Sequence, residues 1–236
     1  MSAADKTILF VTCINDRKLY ANCVRHILQL LVPPGYIVQF MPIRNAKSMT
    51  SGYNQAISHP AKYKVYLHQD VFIINRAFLY GLLQLFEEHE HLGMIGMVGA
   101  QYVPPTGVWN EGHGIVGKVI GYMNDLFYMA SLEQPFHESK TFIPVECIDG
   151  LLMATQYDIP WRDDLFDGFD FYDVSQSFEF KKAGYTVGVP VQRDAWCIHY
   201  HFDINMTNYE KYRKIFVEHY MSDGKKEGRI GGVITK

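Results

Sequence analysis

Along the first hundred positions, stretches in which nearly every residue is apolar alternate with stretches in which apolar residues recur every three or four. Thr7-Ile8-Leu9-Phe10-Val11-Thr12-Cys13-Ile14 is the first of the former kind, the pattern of a strand buried on both faces. Asn15-Asp16 then offers a helix cap, and Leu19, Cys23, Ile27, Leu30 and Leu31 share one helical face up to the stop at Pro33-Pro34-Gly35. A second strand is predicted at Tyr36 to Met41. A second helix, with Met49, Tyr53, Ala56 and Ile57 on one face, ends at His59-Pro60. The third strand begins at Lys62 and ends abruptly in His68-Gln69-Asp70-Val71. This alternation predicts a parallel, right-handed α/β sheet flanked by helices, whose strand ends open onto a ligand crevice. Asp70 is thereby delivered to the place of a metal or phosphate, the alternative being a turn aspartate.

The pattern continues with a helix over about Asn75 to His91, burying Phe78, Leu79, Leu82, Leu83 and Phe86, and a fourth core strand at Met94 to Val98. Between Gln101 and Lys140 the periodicity fades into Gly, Pro, Asn and aromatic residues. Long loops and short strands are predicted there, in which Trp109, Glu111 and His113 belong to a structural loop or, on the alternative reading, touch a substrate. Phe142 to Ala154 reads as a strand, a polar break at Asp149-Gly150, and a second apolar segment. A helix from about Asp170 to Ala183 is anchored by Phe171, Val174 and Phe178, with Asp170, Asp173 and Ser177 expected to look outward. After a short strand at Tyr185 to Pro190, the segment Ala195 to Phe202 sets His199 and His201 at alternate positions, on one side of an extended chain. Such a pair, together with separate strand-end acids, makes a metal site as good a reading as structural histidines. Thr207-Asn208 caps a last helix that packs through Tyr209, Tyr212, Phe216 and Tyr220, and residues 222–236 read as a flexible tail.

Composition narrows function more than fold. A chain of 236 residues, 48% hydrophobic, suits one globular domain, and a net charge of -3 gives no nucleic-acid signature. The aromatic content, 14% with 16 Tyr and 15 Phe, suits sugar or base pockets as well as a core. No run approaches the roughly 18 apolar residues of a membrane span, and the first residues lack the basic-then-apolar order of a secretion signal. A soluble, cytoplasmic protein is expected, with peripheral membrane contact left open. Cys13, Cys23, Cys147 and Cys197 are too scattered for a disulfide framework or a zinc knuckle. Neither G-x-G-x-x-G nor a P-loop follows the first strand, which disfavours typical NAD enzymes and NTPases.

Three segments, in this order, resemble the family 2 glycosyltransferases with the GT-A fold. The first is Asn45-x-x-Ser48-x-x-x-x-Tyr53-Asn54-x-x-Ile57. The second, Tyr66-Leu67-His68-Gln69-Asp70-Val71, looks like the variant of the Asp-x-Asp strand end found in a bacterial branch. The third is the phenylalanine-rich run from Phe166 into the acidic helix that ends in Ala183-Gly184-Tyr185. The resemblance implies a single GT-A-type domain over residues 1–221 with a Rossmann-like, mostly parallel central sheet flanked by helices. A nucleotide-binding half at about 7–100 and an acceptor half at about 101–205 go with it. It implies that Thr12, Asn15, Asn45 and Asn54 surround the uracil and ribose of a UDP-sugar, that His68 touches the donor, and that Asp70 coordinates Mn²⁺ or Mg²⁺ with His199 or His201. Asp173 takes the place of the family's catalytic base, and Glu146, Asp149 and Trp109 border the acceptor. The implied activity is metal-dependent transfer of a sugar from a nucleotide-sugar to a hydroxyl of a carbohydrate or other acceptor, with inversion. One acid in His68-Gln69-Asp70 where many relatives have two, and Ser175 and Glu179 where they often carry an acid and an arginine, leave a catalytically silent UDP-binding protein as the alternative. A sugar-phosphate nucleotidyltransferase is disfavoured by the missing glycine- and basic-rich loop.

Overall fold

The computed structural model describes residues 3–123, 126–132, 141–200 and 206–222. In chain order its strands are β1 (Thr7–Ile14), β2 (Ile37–Arg44), β3 (Tyr63–Leu67), β4 (Val71–Ile73), β5 (Leu92–Gly96), β6 (Val98–Tyr102) and β7 (His113–Met123). They continue as β8 (Leu126–Leu132), β9 (Phe142–Val145), β10 (Cys147–Ile148), β11 (Leu152–Thr155), β12 (Thr186–Pro190) and β13 (Cys197–Tyr200). The helices are α1 (Arg17–Ile27), α2 (Met49–Asn54), α3 (Phe78–Glu88), α4 (Tyr172–Lys182) and α5 (Tyr209–Phe216). The main sheet has the order β2-β1-β3-β11-β5-β12-β9, and a second sheet the order β10-β6-β7-β13-β4 with β8 on β7. In the main sheet β1, β2, β3, β5 and β12 run in one direction, and β11 and β9 run against them.

The apolar runs became strands because helices cover them: all five residues of β3 are buried, as are all but one of β1. Asp16 caps α1, its carboxylate accepting from Lys18 N–H at 2.7 Å and Leu19 N–H at 3.0 Å. That helix stops at Ile27, well before the prolines expected to end it. Its last turns tighten, Leu30 N–H bonding back to Ile27, and Leu31 N–H is claimed by the Arg76 carbonyl at 2.8 Å.

Two predicted strands, and the segment expected to break at Asp149-Gly150, are in fact crossings between the sheets. The run through Val71 breaks after Leu67, where His68 N–H donates to the Leu151 carbonyl, and resumes as β4 in the second sheet. Met94 to Val98 likewise divides at Met97 into β5 and β6, and the segment 142–154 becomes β9, β10 and β11, alternating between sheets. The sheets approach closely here, since a Cβ on Gly96 would lie 2.6 Å from Ile148 Cβ. The long loops and short strands predicted over 101–140 are corrected in one part: β7 is an 11-residue strand paired with both β6 and β8. Glycines broke the alternation in the sequence. Gly117, at φ 120°, lets Met97 O come within 2.1 Å of where a Cβ would stand.

Candidate functional site

His68-Gln69-Asp70 occupies the first of these crossings. Beside it, β13 runs antiparallel to β4 with His199 opposite Val71. The pairing gathers His68, Asp70 and His199, each half-buried, so that one ligand atom from each lies within 4.8 Å of the others. His199 Nε2 is 3.7 Å from Asp70 Oδ1, and the two imidazole rings are 5.5 Å apart. Two imidazoles and one carboxylate fit Mn²⁺, which takes nitrogen as well as oxygen donors, better than Mg²⁺, which keeps to oxygen ligands. Gln69 binds the turn between β1 and α1 instead. Its Oε1 accepts from the N–H groups of Asn15 at 3.0 Å and Asp16 at 2.9 Å, and its amide donates to Asn15 Oδ1. His201, the other histidine expected as a ligand, lies outside the described residues.

Two concavities meet here. The larger, about 510 Å³, is bounded by Cys13, Asn15, Asn45, Met49 and Asp70; the smaller, about 280 Å³, by Trp109, Asp149, Asp173, His199 and Tyr209. His68 and Phe169 line both. A further hollow of about 310 Å³ runs on from Asn15 and Asn45 to Arg17 and Arg44. Asn45 has φ 56°, a left-handed conformation that asparagine tolerates better than most residues. Thr12, Asn54 and Glu146 are not among the lining residues. Thr12 is 1% exposed within β1. Asn54 bridges the backbone of Trp161, donating to its carbonyl at 2.9 Å and accepting from its N–H at 2.8 Å. Glu146 accepts from Val103 N–H at 2.8 Å and from Lys181 at 3.2 Å.

Asp173 does not look outward as expected. Phe171, at φ 60°, packs against Phe216 and Tyr209, and α4 starts against the turn between β10 and β11. Asp173 therefore points in, its Oδ2 accepting from Gly150 N–H at 2.8 Å and its Oδ1 from Val174 N–H at 2.9 Å. Ser177 also faces inward and is buried, accepting from Ile148 N–H at 3.2 Å. Burial, reinforced by the nearby Asp149 charge, pushes the Asp173 carboxyl up to about 7 against the pull of these N–H groups. Burial also raises Asp170. The hydroxyl of Tyr172 sits 2.5 Å from His68 Nε2, and its ring joins Tyr53, Tyr66 and Trp161 in an aromatic floor. The sequence had offered no signal for Tyr172, Phe169 or Arg44 beyond their places next to predicted site residues.

This architecture is the GT-A glycosyltransferase fold. It is similar to GalNAc-T7 with UDP, GalNAc and Mn²⁺, with a TM-score of 0.59 and 10% identity over 93% of this chain and 50% of that one. It is also similar to the mannosyltransferase PcManGT from Pyrobaculum calidifontis in complex with GDP-Man and Mn²⁺, with a TM-score of 0.53 and 14% identity over 97% of this chain and 66% of that one. The catalytic domain of Drosophila β1,4-galactosyltransferase 7 in complex with xylobiose gives a TM-score of 0.50 and 14% identity, over 88% of this chain and 79% of that one. The protein belongs to the glycosyltransferase like family, whose model matches residues 9–220. No curated protein matches the sequence. Among the described residues no helix is long and apolar enough to cross a membrane.

Proposed function

We propose that this protein transfers a sugar from a nucleotide-sugar to a hydroxyl acceptor, with a divalent cation held by His68, Asp70 and His199. One observation carries the reading: Asp70 borders the larger concavity, His199 the smaller, and His68 both. A diphosphate at these ligands places the nucleoside along Cys13, Asn15 and Asn45 toward Arg17 and Arg44, and the sugar and acceptor beside Asp149, Trp109 and Asp173. A bound cation supplies positive charge to the leaving diphosphate without any proton transfer. Asp173 accepts the proton of the acceptor hydroxyl as its oxygen attacks the anomeric carbon, and a carboxyl near 7 suits that role. Attack by the acceptor itself, with no covalent sugar on the protein, inverts the anomeric centre.

Mn²⁺ in the complexes of GalNAc-T7 and PcManGT supports this ion. Those complexes hold UDP and GDP-Man respectively, and the family resemblance favours UDP here. One feature favours a nucleotide-sugar binder that transfers nothing: both Asp173 oxygens already accept backbone N–H bonds.

Calorimetry with UDP and with GDP, each with Mn²⁺, tests the site. Metal-dependent UDP binding that disappears in Asp70→Asn is expected; no binding of either nucleotide by the wild type, or unchanged binding in the variant, overturns the proposal. If the wild type binds UDP yet transfers and hydrolyses no UDP-sugar, the silent binder is the correct reading, whereas transfer that Asp173→Asn leaves unchanged removes Asp173 as the base.

A further inference from the structure

We infer that Tyr172 is a positioning residue for the metal site, a role that rests on the reading of His68 as a ligand. Its hydroxyl lies 2.5 Å from His68 Nε2. An imidazole that binds a metal does so as a neutral ring through one nitrogen, and the other nitrogen then carries the proton and needs an acceptor. With Nε2 facing the tyrosine oxygen, an ion bound through Nδ1 requires Nε2–H to donate to that oxygen, so that Nδ1 keeps the lone pair. The reverse arrangement, with the tyrosine donating to Nε2, puts the proton on Nδ1 and closes that nitrogen to metal.

The tyrosine is held where it can do this. It is 4% exposed, with its ring 6.0 Å from Tyr53 and 6.3 Å from Trp161. Gly150 approaches so closely that a Cβ there would stand 2.0 Å from the hydroxyl. The same turn fixes the main chain of His68, whose N–H donates to the Leu151 carbonyl at 3.0 Å, and it holds Asp173 through Gly150 N–H at 2.8 Å. Of two consecutive residues at the start of α4, one thus reaches the proposed metal ligand and the other is the proposed base, so that metal binding and the placement of the acid are joined through this turn.

The test is Mn²⁺ affinity of the full chain, read from the paramagnetic resonance of the free ion, with and without UDP. Tyr172→Phe keeps the ring and removes only the oxygen. It is expected to weaken Mn²⁺ binding by about 10- to 100-fold, with circular dichroism unchanged. In a His68→Ala background the same change is expected to have no further effect. Nitrogen NMR is expected to show the Nε2–H tautomer of His68 in the wild type and a mixture in Tyr172→Phe. Wild-type affinity in Tyr172→Phe, or an undiminished loss in the His68→Ala background, overturns the positioning role and leaves the metal site standing. Absence of Mn²⁺ binding by the wild type, with or without UDP, overturns the metal site and this role with it.

Discussion

At the scale of single residues, Asp173 joins stability to chemistry in opposite senses. Its carboxyl titrates near 7 in the folded chain against an ordinary value of 3.8. Between those values the folded state holds more protons than the unfolded one, so the stabilisation present in acid is lost as pH rises toward 7. As the proposed base, Asp173 needs the ionised form. Transfer, measured as kcat/KM, is therefore expected to climb with pH through about 7 while the melting temperature falls, and a rate flat across that range contradicts the assignment. Asp173→Asn removes the charge and one of the two acceptors that hold the side chain: transfer at pH 8 is expected to drop by about 10²- to 10⁴-fold. Asp70 and His199 were legible because strand ends and strand alternation are local patterns. The bond from His68 to Tyr172 spans 104 positions, and no local pattern announces it. Gln69 shows the same limit, since its partners Asn15 and Asp16 belong to a different element.

At the scale of elements, the delivery of His68 and Asp70 depends on β3 being held in register. Lys64, 1% exposed as the second residue of that strand, gives both its packing and its charge to this task, reaching Asp158 at 2.6 Å. Asp158 is itself 40% exposed, so the pair is partly screened and the loss of the partner is moderate. Asp158→Ala is expected to cost about 2–3 kcal/mol in urea unfolding, because a buried ammonium loses its acceptor. Lys64→Met is expected to cost less, as it removes the charge together with the need for a partner. The α/β alternation of the first half could be read directly, since β1, α1, β2, α2 and β3 each follow one hydrophobic period. The second half resisted for a physical reason. Its strands from β9 onward are short, and two of them, β10 and β11, are separated by only three residues yet belong to different sheets. Glycines at close approaches interrupt β7 in the same way.

For the whole molecule, the wall of the smaller concavity is supplied from the far end of the described chain. Met206 and Tyr209 line it, and α5 is fastened to α4 by Phe216, which touches Phe171, Phe178 and Tyr220 and is fully buried. Tyr220 adds a 2.7 Å bond to Glu179, which Arg162 also approaches at 3.4 Å. Phe216→Ala is expected to cost about 3–5 kcal/mol and to raise the KM for the acceptor, while Mn²⁺ binding stays as in the wild type; acceptor saturation curves beside metal titrations check this. The position of β11 has a consequence of another kind, one of time. Residues 152–155 fill the gap between β3 and β5, whose own sequences end at positions 67 and 96. A chain growing from its first residue therefore exposes two open strand edges until some sixty more residues have been made, a span in which aggregation competes with folding. The sheet that presents the site is closed by one of its latest arrivals.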